Sequence, residues 1–154
     1  IEIIFQQPIT FEIEGKKVKS LPDEIYINHN TKMVEPIDIK TYSESFLKNY
    51  FKYKYYYQAA IYTFAIEAYL IERGLGDYGI MPFKFIAIDS SGYEYPMIYQ
   101  ISENDLKSAT WGGIINNKDV VGWLKLLEDF NWHITNDKWD YPREVYEKGF
   151  KLIV

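Results

Sequence analysis

Alternating apolar and polar positions dominate the first forty residues. Ile3 and Phe5, then Phe11 and Ile13, alternate with polar residues around a break at Pro8, and Gly15-Lys16-Lys17 turns the chain before Val18. Glu24 to Asn28 reads as a further strand, followed by a turn at His29-Asn30-Thr31 and a strand from Met33 to Lys40. The simplest reading of this region is a β-meander ending in a hairpin. From about Ser45 to Arg73 the period changes: Tyr57, Ile61, Phe64, Ala68 and Ile71 recur at spacings of four, three, four and three, which predicts one long helix stopped by Gly74 and Gly76. Pro82 opens a short apolar strand, Phe83 to Ile88, closed by a turn at Asp89 to Gly92, and Met97 to Ile101 is the next strand. Ser102-Glu103-Asn104-Asp105 has the composition of a helix N-cap and first turn, with the helix continuing through Leu106. A last helix is expected over about Asp119 to Phe130, with Val120, Leu124 and Leu127 on one face. Strands, long helix, two strands and helices make an α/β (α+β) domain with a mixed central β-sheet flanked by helices. The length, 154 residues, predicts a single domain over 1–154.

Composition narrows the chemistry. With 47% hydrophobic and 18% aromatic residues the chain is a folding one, not a disordered one. Charged residues break every apolar stretch well before the ~20 positions of a bilayer span, which predicts a soluble protein. The absence of cysteine excludes disulfides, zinc ribbons, iron–sulfur clusters and thiol nucleophiles, so a metal would have to be held by oxygen or imidazole. A net charge of −5 argues against a surface uniformly basic enough to wrap duplex nucleic acid, and leaves room for a local basic patch. No GxxxxGK[ST] or GxGxxG loop is present, and neither His29 nor His133 sits in a ligand-like or triad-like setting, so both read as structural. Trp111, Trp123, Trp132 and Trp139 all fall in the last third and are expected to anchor the terminal helices on the sheet or to form an oligomer contact.

One arrangement of ionisable residues carries chemistry. Pro22-Asp23 is followed, fourteen residues later, by Asp38-Ile39-Lys40. Asp38 and Lys40 are two apart on a strand and share a face, and folding the hairpin at His29 to Thr31 brings Asp23 alongside Asp38. Two adjacent carboxylates repel, and a divalent cation such as Mg²⁺, which prefers hard oxygen ligands, relieves them. Such a cation polarises a phosphoryl oxygen and acidifies a bound water, while a neighbouring lysine offsets transition-state charge. That is the chemistry of phosphodiester hydrolysis. Read blandly, Asp23 is a turn residue and Asp38 with Lys40 a solvated strand face.

The pattern resembles the PD-(D/E)XK nuclease superfamily, whose core is that of the restriction endonucleases. Lys19 to Ile25 followed by Ile37-Asp38-Ile39-Lys40-Thr41 is similar to phage recombination exonucleases of the RecE and lambda-exonuclease type. Tyr55 to Tyr62 resembles their glutamine-bearing helix, and Phe83 to Ile88 and Tyr95 to Tyr99 their next two strands. The resemblance implies a metal-dependent deoxyribonuclease, an exonuclease of recombination or repair, with Asp23 and Asp38 as metal ligands and the Ile39 carbonyl as a third. It further implies Lys40 as the catalytic lysine, Gln58 as the residue that holds water, lysine or phosphate in place, and Mg²⁺ as cofactor with Mn²⁺ substituting. DNA is the implied partner, together with self-association and a single-strand annealing protein, in the cytoplasm of a bacterium or phage-infected cell. Family members also carry an acidic residue on an upstream helix; Glu2, Glu12 and Glu14 are nearby but in no matching motif, and a single-metal site or a missing upstream segment would explain the departure. Pro36, inside the motif strand, predicts an edge or a bulge.

Lys48, Lys52 and Tyr55, with Lys54 close by, are expected to share a helical face suited to a nucleic-acid backbone and unpaired bases. Lysines solvating a helix, and the cluster Lys16, Lys17 and Lys19 solvating a hairpin turn, explain the same residues equally well. Two alternatives to the exonuclease stay open: a non-catalytic nucleic-acid-binding module with a nuclease fold, and a structure-specific endonuclease.

Overall fold

The computed structural model describes residues 1–153. Along the chain run β1 (Glu2–Phe5), β2 (Ile9–Ile13), β3 (Lys16–Ser20), β4 (Glu24–Asn28), β5 (Met33–Tyr42), α1 (Phe46–Lys52), α2 (Tyr55–Glu72), β6 (Gly79–Ile80), β7 (Lys84–Asp89), β8 (Met97–Gln100), α3 (Glu103–Trp111), β9 (Gly113–Ile115), β10 (Lys118–Val120), α4 (Trp123–Asn136) and α5 (Arg143–Lys148). The central sheet has the order β1-β4-β5-β7-β8, with β6 on β5 as a sixth strand. Most neighbours pair antiparallel, but β5 and β7 are parallel, so the segment between them crosses over as α1 and α2. This is the mixed α+β architecture with a central sheet flanked by helices that the element order predicts. No described helix is long and apolar enough to cross a membrane.

The core forms where the inner face of the sheet meets α2. Ile25, Ile27, Val34, Phe85 and Ala87 come from the strands and Tyr56, Ala59, Ala60, Ile66 and Leu70 from the helix, all buried. Burial of such side chains contributes about 1.5–3 kcal/mol each for the larger ones. Ala59 and Ala60, at 0% and 1% exposure, are buried in the core beside Gln58, whose side chain reaches Asp38 of β5. Ser102 caps α3 by accepting the N–H of Asp105, as its sequence predicts.

Several expectations are corrected. Strands β1 to β5 do not form a meander: β1 pairs with β4, and β2 with β3 make a separate two-stranded ribbon that packs on α2. The long helix is two, broken at Tyr53 and Lys54, where Lys54 adopts a left-handed backbone with φ +54°. Its core face is also displaced, since Tyr56, Ala59, Ile66 and Leu70 are buried while Ile71 is 63% exposed. A helix apolar on nearly every side has no single stripe to read. The last helix starts at Trp123, not Asp119, because Asp119 and Val120 pair with Ile114 and Gly113 in a hairpin built on a tight turn at Asn116 and Asn117, both with positive φ. Of the four tryptophans only Trp123 is buried, edge-on to Phe64 of α2, whereas Trp111 and Trp139 are exposed. Pro36 lies at no edge or bulge: it pairs in register with Ile25, and on the other side the parallel neighbour is interrupted between Ile80 and Lys84, opposite the missing N–H.

Candidate active site

Pro22, fully buried, delivers Asp23 to the start of β4. There Asp23 Oδ2 accepts the backbone N–H of Ile39 at 2.8 Å, which fixes the first carboxylate beside the middle of β5. Asp38 and Lys40 project from the inner face of β5, and the Lys40 ammonium stands 2.6 Å from Asp38 Oδ2. From α2, Gln58 Nε2 donates to Asp38 Oδ1 at 3.2 Å. The structure thus brings Asp23, Asp38, the Ile39 backbone, Lys40 and Gln58 to one place from two strands and a crossover helix.

Asp38 is the electrostatic centre of this cluster. Only 2% exposed, its carboxyl is pushed up to about 6, first by burial and then by the charge of Asp23, against the opposing pull of Lys40. The ion pair with Lys40 is close but off the angle of a hydrogen bond, so the buried Oδ2 has no hydrogen-bond donor among the described residues. Charge pairing with Lys40 offsets part of the cost of burying this oxygen and leaves it open to a hydrogen-bond donor or a further cation. The donor set of two carboxylates and the Ile39 carbonyl fits one hard divalent cation that keeps several waters. No group of three acidic or histidine side chains lies together among the described residues.

The upstream acids expected as a further ligand lie elsewhere. Glu2 pairs with Ile27 at the far end of β4 from Asp23, where it accepts from Arg73 at 3.0 Å and from His29 at 3.0 Å. The Arg73 guanidinium, and then His29, hold its carboxyl below the usual range. Its role is to tie β1 to the end of α2. A carboxyl lowered by partners contributes stability above its ordinary value of 4.5 and loses it as pH falls. Glu2→Gln is therefore expected to lower stability by less than about 1 kcal/mol at pH 7, with the difference shrinking in thermal melts as the pH falls below 4.5. Glu12 and Glu14 belong to the β2–β3 ribbon and its turn, with Glu12 opposite Lys17.

The expected basic face divides. Lys48 and Lys52 lie on α1, Lys54 at the joint, and Tyr55 on α2, so they do not share one helical face. Tyr55 turns toward the site, with Lys40 Nζ 4.8 Å from its ring centroid, and stacks on Tyr53 at 5.9 Å with 26° between the planes. Lys54 instead lines a cleft of about 380 Å³ with Tyr57, Asn116 and Lys118. That cleft contains neither Asp23 nor Asp38. Sequence reasoning missed Tyr53, because no glycine or proline marks the break that exposes it.

No family model matches the chain, and no curated protein matches it in sequence. Its fold is similar to that in the crystal structure of a putative exonuclease from Eubacterium rectale, with a TM-score of 0.59, 14% identity, and coverage of 98% of this chain and 53% of the other. At that identity the likeness is one of fold, and the chain spans about half the length of this neighbour.

Proposed function

We propose that the chain carries the catalytic centre of a Mg²⁺-dependent deoxyribonuclease of the PD-(D/E)XK type, acting from DNA ends in phage or bacterial recombination or repair. The observation that carries this reading is the convergence on Asp38, a buried carboxylate, of a second carboxylate, a lysine and a glutamine. The fold shared with a protein named as a putative exonuclease agrees with it.

Asp23, Asp38 and the Ile39 carbonyl would hold Mg²⁺, with Mn²⁺ as a substitute. When bound, the cation supplies Lewis-acid activation of the phosphoryl oxygen and of a water. Lys40, 19% exposed and next to the carboxylates, orients the attacking water and offsets charge on the transition state. Gln58 holds Asp38 through its amide N–H, leaving its carbonyl to accept from water or lysine. Lys48 and Lys52 add phosphate contacts. Self-association and a single-strand annealing partner belong to the same proposal, as does a cytoplasmic setting.

The test is cleavage of end-labelled linear duplex beside closed circular DNA, with Mg²⁺, with Mn²⁺ and with chelator. Loss of the linear substrate alone, dependent on metal, is the expected result. Cutting of the circle would move the assignment to an endonuclease. The presence of only two carboxylates at the site among the described residues favours one further reading, a binding module with a nuclease fold, and cleavage of neither substrate by a chain extended upstream of Ile1, despite DNA binding, would favour it.

A further inference from the structure

Beyond the carboxylates, the site continues outward as a ladder of cations and rings. Lys40 Nζ sits over Tyr55, Tyr55 stacks on Tyr53, and Lys52 Nζ sits over Tyr53 at 5.0 Å. Tyr53 is 56% exposed, unlike Tyr50 and Tyr56, which flank the joint and are buried. Lys54, at the break that splits α1 from α2, holds a left-handed backbone that glycine or asparagine adopts more readily. Helix continuity is given up here, at the one joint that presents a stacked tyrosine pair to solvent beside Lys40. Six other non-glycine residues among those described share this left-handed backbone, so what distinguishes the joint is the exposed aromatic pair it places beside Lys40.

We propose that the outer face of Tyr53 is a stacking platform for an unpaired nucleobase adjoining the scissile phosphate, so that the chain acts on single-stranded or frayed ends in preference to closed duplex. The inference rests on the nuclease reading for what happens at Asp38, but the platform itself is a binding site. An aromatic face accepts any base through stacking and supplies no sequence preference. The flexible Lys52 side chain covers the ring in the free protein, and an arriving base would move its ammonium onto the neighbouring phosphate. In a duplex both faces of each base are already stacked, so the platform selects ends where pairing has opened.

The experiment measures binding without cleavage. In chelator, a twelve-nucleotide single-stranded oligodeoxynucleotide carrying 2-aminopurine, and a blunt duplex of the same sequence, are titrated against wild type, Tyr53→Ala, Tyr53→Phe and Lys52→Ala. Tyr53→Ala is expected to weaken single-strand binding about tenfold, Tyr53→Phe to restore it, and Lys52→Ala to reduce the salt dependence by about one phosphate contact. Duplex affinity should move less than about twofold in Tyr53→Ala, and thermal melts report whether each variant is folded. Single-strand binding by folded Tyr53→Ala equal to wild type would overturn the platform, as would wild type that binds no single strand. The two readings fail separately. A wild type that loses single-strand binding on Tyr53→Ala yet cleaves nothing with Mg²⁺ keeps the platform and loses the nuclease. A chain that cleaves while Tyr53→Ala binds as wild type keeps the nuclease and loses the platform.

Discussion

Lys40→Ala is expected to lower metal-dependent DNA hydrolysis roughly a thousandfold, the scale on which loss of one preorganised charge at a phosphoryl transition state is felt. Two effects add. The ammonium that would offset developing charge is removed, and Asp38 loses the one cation that opposes its burial, so its carboxyl rises further and competes for a proton where it should hold metal. Lys40→Arg keeps the charge but replaces a compact ammonium with a planar fork in a space bounded by Asp38 and the Tyr55 ring. Its recovery should be small, a few per cent of wild type. Single-turnover cleavage of end-labelled DNA, with binding measured in chelator, separates the chemical step from affinity. A Lys40→Ala variant that cleaves within a few fold of wild type would remove this lysine from the mechanism and with it the proposed site.

Asp38→Asn is expected to abolish cleavage and, in the metal-free protein, to stabilise the fold at neutral pH. The carboxyl is raised from its ordinary value of 3.8 to about 6, so the folded chain binds that proton more tightly than the unfolded one. Stability from this group is then greatest below about pH 4, falls as pH rises to about 6, and stays low above it. At about 1.4 kcal/mol per pH unit, the difference approaches roughly 3 kcal/mol at pH 7, less whatever Lys40 loses with its partner. For a chain of this size that is on the order of 5–10 °C in melting temperature. Thermal melts of wild type and Asp38→Asn in chelator, from pH 3.5 to 8, should diverge across this window and run parallel above it. Added Mg²⁺ should then raise the melting temperature of wild type at pH 7 and leave Asp38→Asn unmoved. A difference that is flat with pH would mean the carboxylate is not destabilised by its setting.

Much of this cluster was legible because its spacing is short and its strand signals strong. Asp38 and Lys40 share a strand face by period alone, and a turn at His29 to Thr31 leaves few ways to place Asp23 other than beside them. Gln58 was legible only through the resemblance of the Tyr55 to Tyr62 stretch to a glutamine-bearing helix, since a lone glutamine on a helix reads as a surface residue. The break at Tyr53 and Lys54 was not, since aromatic and lysine residues continue through it and the left-handed turn is imposed by how α1 and α2 each dock. Phe46 of α1 packs among Tyr42, Phe85 and Tyr99, contacts from three strands that no local pattern contains. The start of α4 was misplaced for a similar reason: Val120 has the spacing of a helical residue and pairs instead with Gly113. Pairing of β1 with β4 skips a whole ribbon, and nothing in either strand's alternation states its partner.

The parallel register that sets Asp38 opposite Phe85 also orders events in time. Asp23 and Asp38 belong to a hairpin that closes over few residues and forms early, with both carboxylates still hydrated. Gln58 and Phe85 reach Asp38 only after α1 and α2 have been synthesised and the crossover has folded back, a long loop closure that is slow compared with hairpin formation. Desolvation of Asp38 therefore accompanies docking of α2 and β7 rather than folding of the hairpin. A nascent chain ending near Tyr78 would hold every proposed catalytic side chain and still lack β7, the strand that lies alongside Asp38 and completes the surroundings that raise its affinity for protons.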